Sequence, residues 1–122
     1  MHALIINSEN FNTVDWEENF FKYCEFSGLS PDGEHITSDF INCKFTDIDW
    51  YWGIFNIVNF VECNFKNCIF RGTNFARCKF VECTFDNCQF IKDNLNGDCE
   101  FNESVAYNCR FTNCEGFNVA IK

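Results

Sequence analysis

Residues 59–90 read NFVECNFKNCIFRGTNFARCKFVECTFDNCQF, with Phe60, Phe65, Phe70, Phe75, Phe80, Phe85 and Phe90 at every fifth position. Five steps around an α-helix turn about 500°, which scatters successive Phe residues about 140° apart around the cylinder. In a straight strand the side-chain period is two, so an odd step puts consecutive Phe residues on opposite faces of the sheet. One arrangement keeps every Phe inside. The chain runs extended for a few residues, turns a corner of roughly 90° and repeats, each group of five forming one side of a square coil.

Working outward, the fifth positions between residues 40 and 95 are Phe40, Phe45, Trp50, Phe55, Phe60, Phe65, Phe70, Phe75, Phe80, Phe85, Phe90 and Leu95, none of them polar. Two residues before each of these centres stand Ser38, Cys43, Ile48, Gly53, Val58, Cys63, Cys68, Thr73, Cys78, Cys83, Cys88 and Asp93. Positions two apart share a face in extended chain, so these mostly small residues also point inward. An earlier run, Phe11, Trp16, Phe21 and Phe26, keeps the same spacing. Between it and Phe40 lies SGLSPDGEH, residues 27–35, where Pro31, Asp32 and Gly33 are strong turn formers. Removing these nine residues restores the repeat spacing, so the stretch is predicted to be a loop ejected from the coil. After Leu95, one extra residue around Asn96, Gly97 and Asp98 is predicted to bulge and shift the phase. Phe101, Ala106, Phe111 and Gly116 then follow as centres.

The chain has 122 residues, 47% of them hydrophobic and 19% aromatic, ample for a buried core in one domain. Its 17 Phe against 1 Met and 1 Pro suit a repeated core site rather than an irregular interior. All 10 Cys fall on the small inward position. No C-x-x-C pair occurs and the histidines are His2 and His35, so the thiols read as small packing groups, reduced in a cytoplasmic setting, rather than as metal ligands or a disulfide framework. Column stacking of Cys43, Cys63 and Cys83 at about 4.8 Å makes accidental disulfides worth checking. The net charge of -9 disfavours direct binding to nucleic acid or anionic membranes and favours basic partners. The sequence has no 18-residue apolar run, and MHALIINSENF lacks the pattern of a signal peptide.

The groups CNFKN, CIFRG, TNFAR, CKFVE, CTFDN and CQFIK resemble the tandem units of pentapeptide repeat proteins, with Cys in place of the familiar Ala and Phe in place of Leu. The resemblance spans residues 9–118 and implies an all-β fold, a right-handed quadrilateral parallel β-helix of about five coils. Its ends need covering, because an open terminal coil invites edge pairing. ALII at 3–6 is a candidate cap, and FNVAI at 117–121 either caps the other end or makes a homodimer there.

Inward positions are committed to packing, so function is expected on outward residues, loops or ends. Counting in twenties places Asp39, Glu62, Glu82, Glu100 and Glu103 on side one as an acidic face with Lys79, and Arg71, Lys92 and Arg110 on side three beside Asp49, Tyr51 and Trp52. Tyr51, Trp52, Ile54 and Ile57 are outward apolar residues, and they read either as a protein-binding patch or as packing under the 27–35 loop. No nucleophile, base or phosphate-loop constellation is present, Asn102 in a glycosylation sequon is attributed to chance, and no catalytic residue, metal or cofactor is expected. The leading expectation is a non-enzymatic protein-binding module, toxin-neutralising or regulatory, whose partner offers a basic or apolar surface. The resemblance adds a second one: some family members bind DNA gyrase or topoisomerase IV as acidic mimics of DNA, protecting them from quinolones or peptide toxins. A structural, self-assembling rod is the third.

Overall fold

The computed structural model describes residues 2–117 and the backbone of 120–121, and it shows the chain wound into a parallel β-helix with four sides. Side one stacks Phe20–Lys22, Asp39–Ile41, Asn59–Val61, Lys79–Val81, Val105–Tyr107 and Ala120–Ile121. Side two stacks Ile5–Ile6, Glu25–Ser27, Lys44–Thr46, Asn64–Lys66, Thr84–Asp86 and Arg110–Thr112. Side three holds Asp49–Tyr51, Ile69–Arg71 and Gln89–Ile91; side four holds His35–Ile36, Ile54–Asn56, Asn74–Ala76 and Glu100–Asn102. In Lys44–Thr46 and its equivalents the middle residue is buried and its neighbours face outward, as the five-residue period requires.

Register turns that period into columns. Phe45, Phe65 and Phe85 are direct partners, with stacked rings 4.7 and 4.6 Å apart, while rings on adjacent sides of one coil meet edge to face, as Phe60 and Phe65 do at 5.4 Å. The small inward position has a second duty besides leaving room for these rings. The thiols of Cys63, Cys68 and Cys83 donate to the carbonyls of Phe40, Phe45 and Phe60 in the coil below at 3.3, 3.3 and 3.2 Å, and Ser38 and Ser104 donate to Trp16 and Phe75 at 2.9 and 3.0 Å. Cys and Ser thus supply a donor that Ala lacks. At most corners the second residue after the centre takes a left-handed backbone. Asn42, Asn67, Asn87, Gly28, Gly33 and Gly72 fill it cheaply, whereas Trp52 and Ile57 occupy it at φ 54° under strain.

Three expectations are corrected. Residues 27–35 are not ejected: Leu29 is buried, Pro31 takes the centre position, its carbonyl accepts Tyr51 N–H at 3.0 Å, and Asp32 bridges to Tyr51. The centres therefore run Phe26, Pro31, Ile36, Phe40, and the corner before Phe40 is one residue short, lacking the left-handed residue. Second, Leu95 is no centre. It is 78% exposed, and 92–98 leave the coil as a loop. Phe75 pairs with Phe101, 26 residues on instead of 20, so the insertion is six residues rather than one and every later residue sits one side earlier than counted. Third, the coil makes about four turns rather than five, because the terminal strands belong to incomplete ones.

Both ends are covered. Ile5–Ile6 pairs with Glu25–Phe26 as a cap strand, and Trp16 packs against Phe21, Phe26 and Trp50. At the other end Phe117 plugs the core, its ring 4.8–5.4 Å from those of Phe80, Phe85, Phe90, Phe101 and Phe111. Ala120–Ile121 pairs with Val105–Ala106; residues 118 and 119 of the FNVAI stretch lie outside the described residues. Among the described residues no helix is long and apolar enough to cross a membrane.

Candidate protein-binding surface

Tyr51, whose backbone pairs with Pro31, Asp32 and Gly33, and Trp52 hold the loop 92–98 with their side chains. The Trp52 indole N–H donates to Asp93 Oδ2 at 2.7 Å, and the Tyr51 hydroxyl accepts Asn94 N–H at 2.8 Å. The two rings meet edge to face at 4.4 Å. Asp93 organises the loop itself: Oδ1 accepts the N–H groups of Leu95 and Gly97, both at 2.8 Å, and its own N–H donates to Gly97 carbonyl at 2.9 Å. Gly72 lies beneath, where a Cβ would collide with the Asp93 carboxylate. The Gly97 N–H, followed by the Trp52 indole and the Leu95 N–H, holds the Asp93 carboxyl below its ordinary pKa. The product of all this bonding is a short, ordered loop with Leu95 at its tip in water.

Around the same corner, Ile54 is 42% exposed on side four and Ile57 is 56% exposed at the next corner. The predicted apolar group is thereby divided: Tyr51 and Trp52 are occupied as a latch, while Ile54, Ile57 and Leu95 remain presented. Pro31, Asp32 and Gly33 serve the coil, not a loop.

The predicted acidic face is also divided. Asp39 lies on side one, where it accepts the N–H and side-chain amide of Asn59 at 2.9 and 3.3 Å, and Glu62 and Glu82 occupy the corner that follows. Glu100 and Glu103 belong to side four and the corner beyond it, with Arg77 3.5 Å from Glu103. Arg110 pairs with Thr84 on side two rather than joining side three, whose Arg71 contacts Asp49 at 3.0 Å. One polar feature escaped the sequence reading: Asp47, Asn67, Asn87 and Asn113 form a hydrogen-bonded ladder along one corner at 3.1, 2.9 and 3.0 Å. Its signal was Asn at left-handed corners 20 residues apart, obscured after residue 91 by the six-residue insertion. None of the ten Cys is joined in a disulfide, and among the described residues no group of three or more His, Cys, Asp or Glu is placed to hold a metal ion.

Comparison with known proteins agrees with this geometry. Residues 59–97 match the family model for pentapeptide repeats in eight copies, although the last matched residues already belong to the loop. No curated protein matches the chain. Among solved structures, a trypsin-treated variant of QnrB1, a plasmid-mediated fluoroquinolone resistance protein, is similar at a TM-score of 0.61 and 15% identity. The likeness covers 93% of this chain and 53% of that one, so the chain spans about half the length of the QnrB1 chain, and at that identity it concerns the fold. Residues 59–97 are thus an array of pentapeptide repeats, and the strands on either side of them continue the same coil geometry.

Proposed function

We propose that the protein is a binding module for another protein, with the loop 92–98 as its anchor. The observation that carries this reading is Leu95, 78% exposed on a loop bonded to itself and to Tyr51 and Trp52. An apolar tip on a floppy loop would lose ordering entropy on docking; here the loop is already ordered, so burying the leucine is net favourable. Exposed Ile54 and Ile57 extend the apolar contact, and the net charge of -9 favours a basic partner, such as a toxin to be neutralised or a regulated enzyme. Affinity capture from the source cells with wild type, Leu95→Ser and Ile54→Ser tests it. A protein retained by wild type and lost with Leu95→Ser, at unchanged melting temperature, supports the reading; identical captured sets overturn it.

A second reading, protection of DNA gyrase by an acidic mimic of DNA, draws on the net charge and on the likeness to QnrB1. The division of the carboxylates between sides, and the arginines beside Glu103 and Asp49, weaken it. Supercoiling by purified gyrase, with and without a fluoroquinolone, separates the two: protection at equimolar protein favours the mimic, and no change leaves the first reading.

A further inference from the structure

The inward thiols form two columns, Cys24, Cys43, Cys63, Cys83 and Cys109 in one and Cys68, Cys88 and Cys114 in the other. We propose that the last rung of each column is an oxidation site, at which a hydroperoxide links Cys109 to Cys83 and Cys114 to Cys88. Backbone bonds set the spacing: Arg110 N–H donates to Cys83 carbonyl at 3.0 Å, Glu115 N–H to Cys88 carbonyl at 3.2 Å, and Cys88 N–H to Cys114 Sγ at 3.4 Å. Neighbouring rungs of a parallel sheet stand about 4.8 Å apart, inside the Cα range of a disulfide, about 4.4–6.8 Å. The β-carbons of in-register rungs lie slightly too far apart, since a disulfide draws them to about 3.8 Å. Closing that gap needs one rung to settle toward the other. Cys43, Cys63 and Cys68 are clamped between coils and fully buried, so they cannot; Cys109 and Cys114 have no further Cys rung above them among the described residues.

Access follows the same division. Cys109 and Cys114 are half-buried, and two open grooves reach their rungs. One, of about 320 Å³, is lined by Glu82, Cys83, Thr84, Asn108 and Arg110; the other, of about 130 Å³, by Asn87, Gln89, Asn113, Cys114 and Glu115. Cys99 is a built-in control. It is equally half-buried, but the residue beneath it is Thr73, so it has an oxidant and no thiol partner. Contact with Cys83 raises the Cys109 thiol and burial raises that of Cys114, so both react slowly and need peroxide in excess.

The chemistry balances with the peroxide as the sole oxidant. The Cys109 sulfur displaces water from hydrogen peroxide and becomes a sulfenic acid; Cys83 sulfur then attacks it, the S–O bond breaks, and the hydroxide leaves with the Cys83 proton as a second water. Cys114 and Cys88 react alike.

The test treats the folded full chain with hydrogen peroxide, blocks remaining thiols with N-ethylmaleimide after denaturation, and maps peptides by mass. The expected result is two intramolecular disulfides, 83–109 and 88–114, reversed by dithiothreitol, with Cys99 carrying oxygen but no cross-link and Cys43, Cys63 and Cys68 blocked as free thiols. Cys109→Ser, which copies the inward Ser104, should abolish the first disulfide and leave the second. Cross-links that involve Cys99 or the inner rungs, cross-links between chains, or oxygen adducts on Cys109 and Cys114 without disulfides would each overturn the proposal.

Discussion

The left-handed corner position is where single side chains work against the coil. Asn and Gly adopt φ near 54° at little cost, but a β-branched residue there is strained by about 1–2 kcal/mol. Ile57 accepts that strain while 56% exposed, so its packing returns little. Ile57→Asn should therefore stabilise the protein by about 1 kcal/mol, read as a higher urea midpoint at unchanged slope; a lower midpoint would mean that Ile57 packs more than its exposure suggests. Position within the column sets the cost of losing a Phe. Phe65 stacks on Phe45 and Phe85, so Phe65→Ala should cost about 4 kcal/mol. Phe101 is only half-buried and stacks on Phe75 alone among its own column, so Phe101→Ala should cost less than half as much by the same measurement.

At the scale of elements, two stretches show what was and was not legible in the sequence. Residues 27–35 look like a loop because Pro31, Asp32 and Gly33 are turn formers, yet Leu29, Pro31 and Ile36 stay on inward positions at the repeat spacing from Phe26. Every corner of this fold is a turn, so turn residues do not signal an exit from it. Residues 92–98 mislead in the opposite direction: Leu95 matches the period, but the bonds of Asp93 to Leu95 and Gly97 close a loop in place of a side. The partners Tyr51 and Trp52 lie 43 and 41 residues away, a pairing that no local pattern reveals. Trp52→Phe removes the indole donor and should raise proteolytic cleavage within 92–98 while leaving the urea midpoint of the coil almost unchanged. Acid should do the same reversibly. The depressed pKa of Asp93 means that its contribution is complete above about pH 4 and is lost as pH falls through the lower folded value. Trp52 fluorescence should accordingly be flat from pH 7 to pH 5 and change only in strong acid; a transition near neutrality would show that another group holds the loop.

For the whole molecule, the five-residue period established the coil and its inward residues, but the map of sides depended on the length of one loop. That is why Asp39, Glu62 and Glu82 lie on side one and its corner, as counting in twenties has them, while Glu100, Glu103 and Arg110 sit one side earlier than that count. A solenoid contacts itself only between neighbouring coils, so its stability is close to a sum over coils and interfaces. Deleting Val61–Phe80 removes one complete turn and joins Phe60 to Val81 in phase, so every later centre stays inward. The shortened chain should fold cooperatively, with a rod shorter by about 4.8 Å in solution scattering and a urea slope lower by about one sixth, the share of 20 residues in 122. The same deletion removes Gly72 and brings Trp52 directly under the loop, where only glycine leaves room for Asp93. The loop should then be displaced and cut readily by protease although the coil is intact. An unfolded product would refute additivity between coils, and a protected loop would refute the role assigned to Gly72.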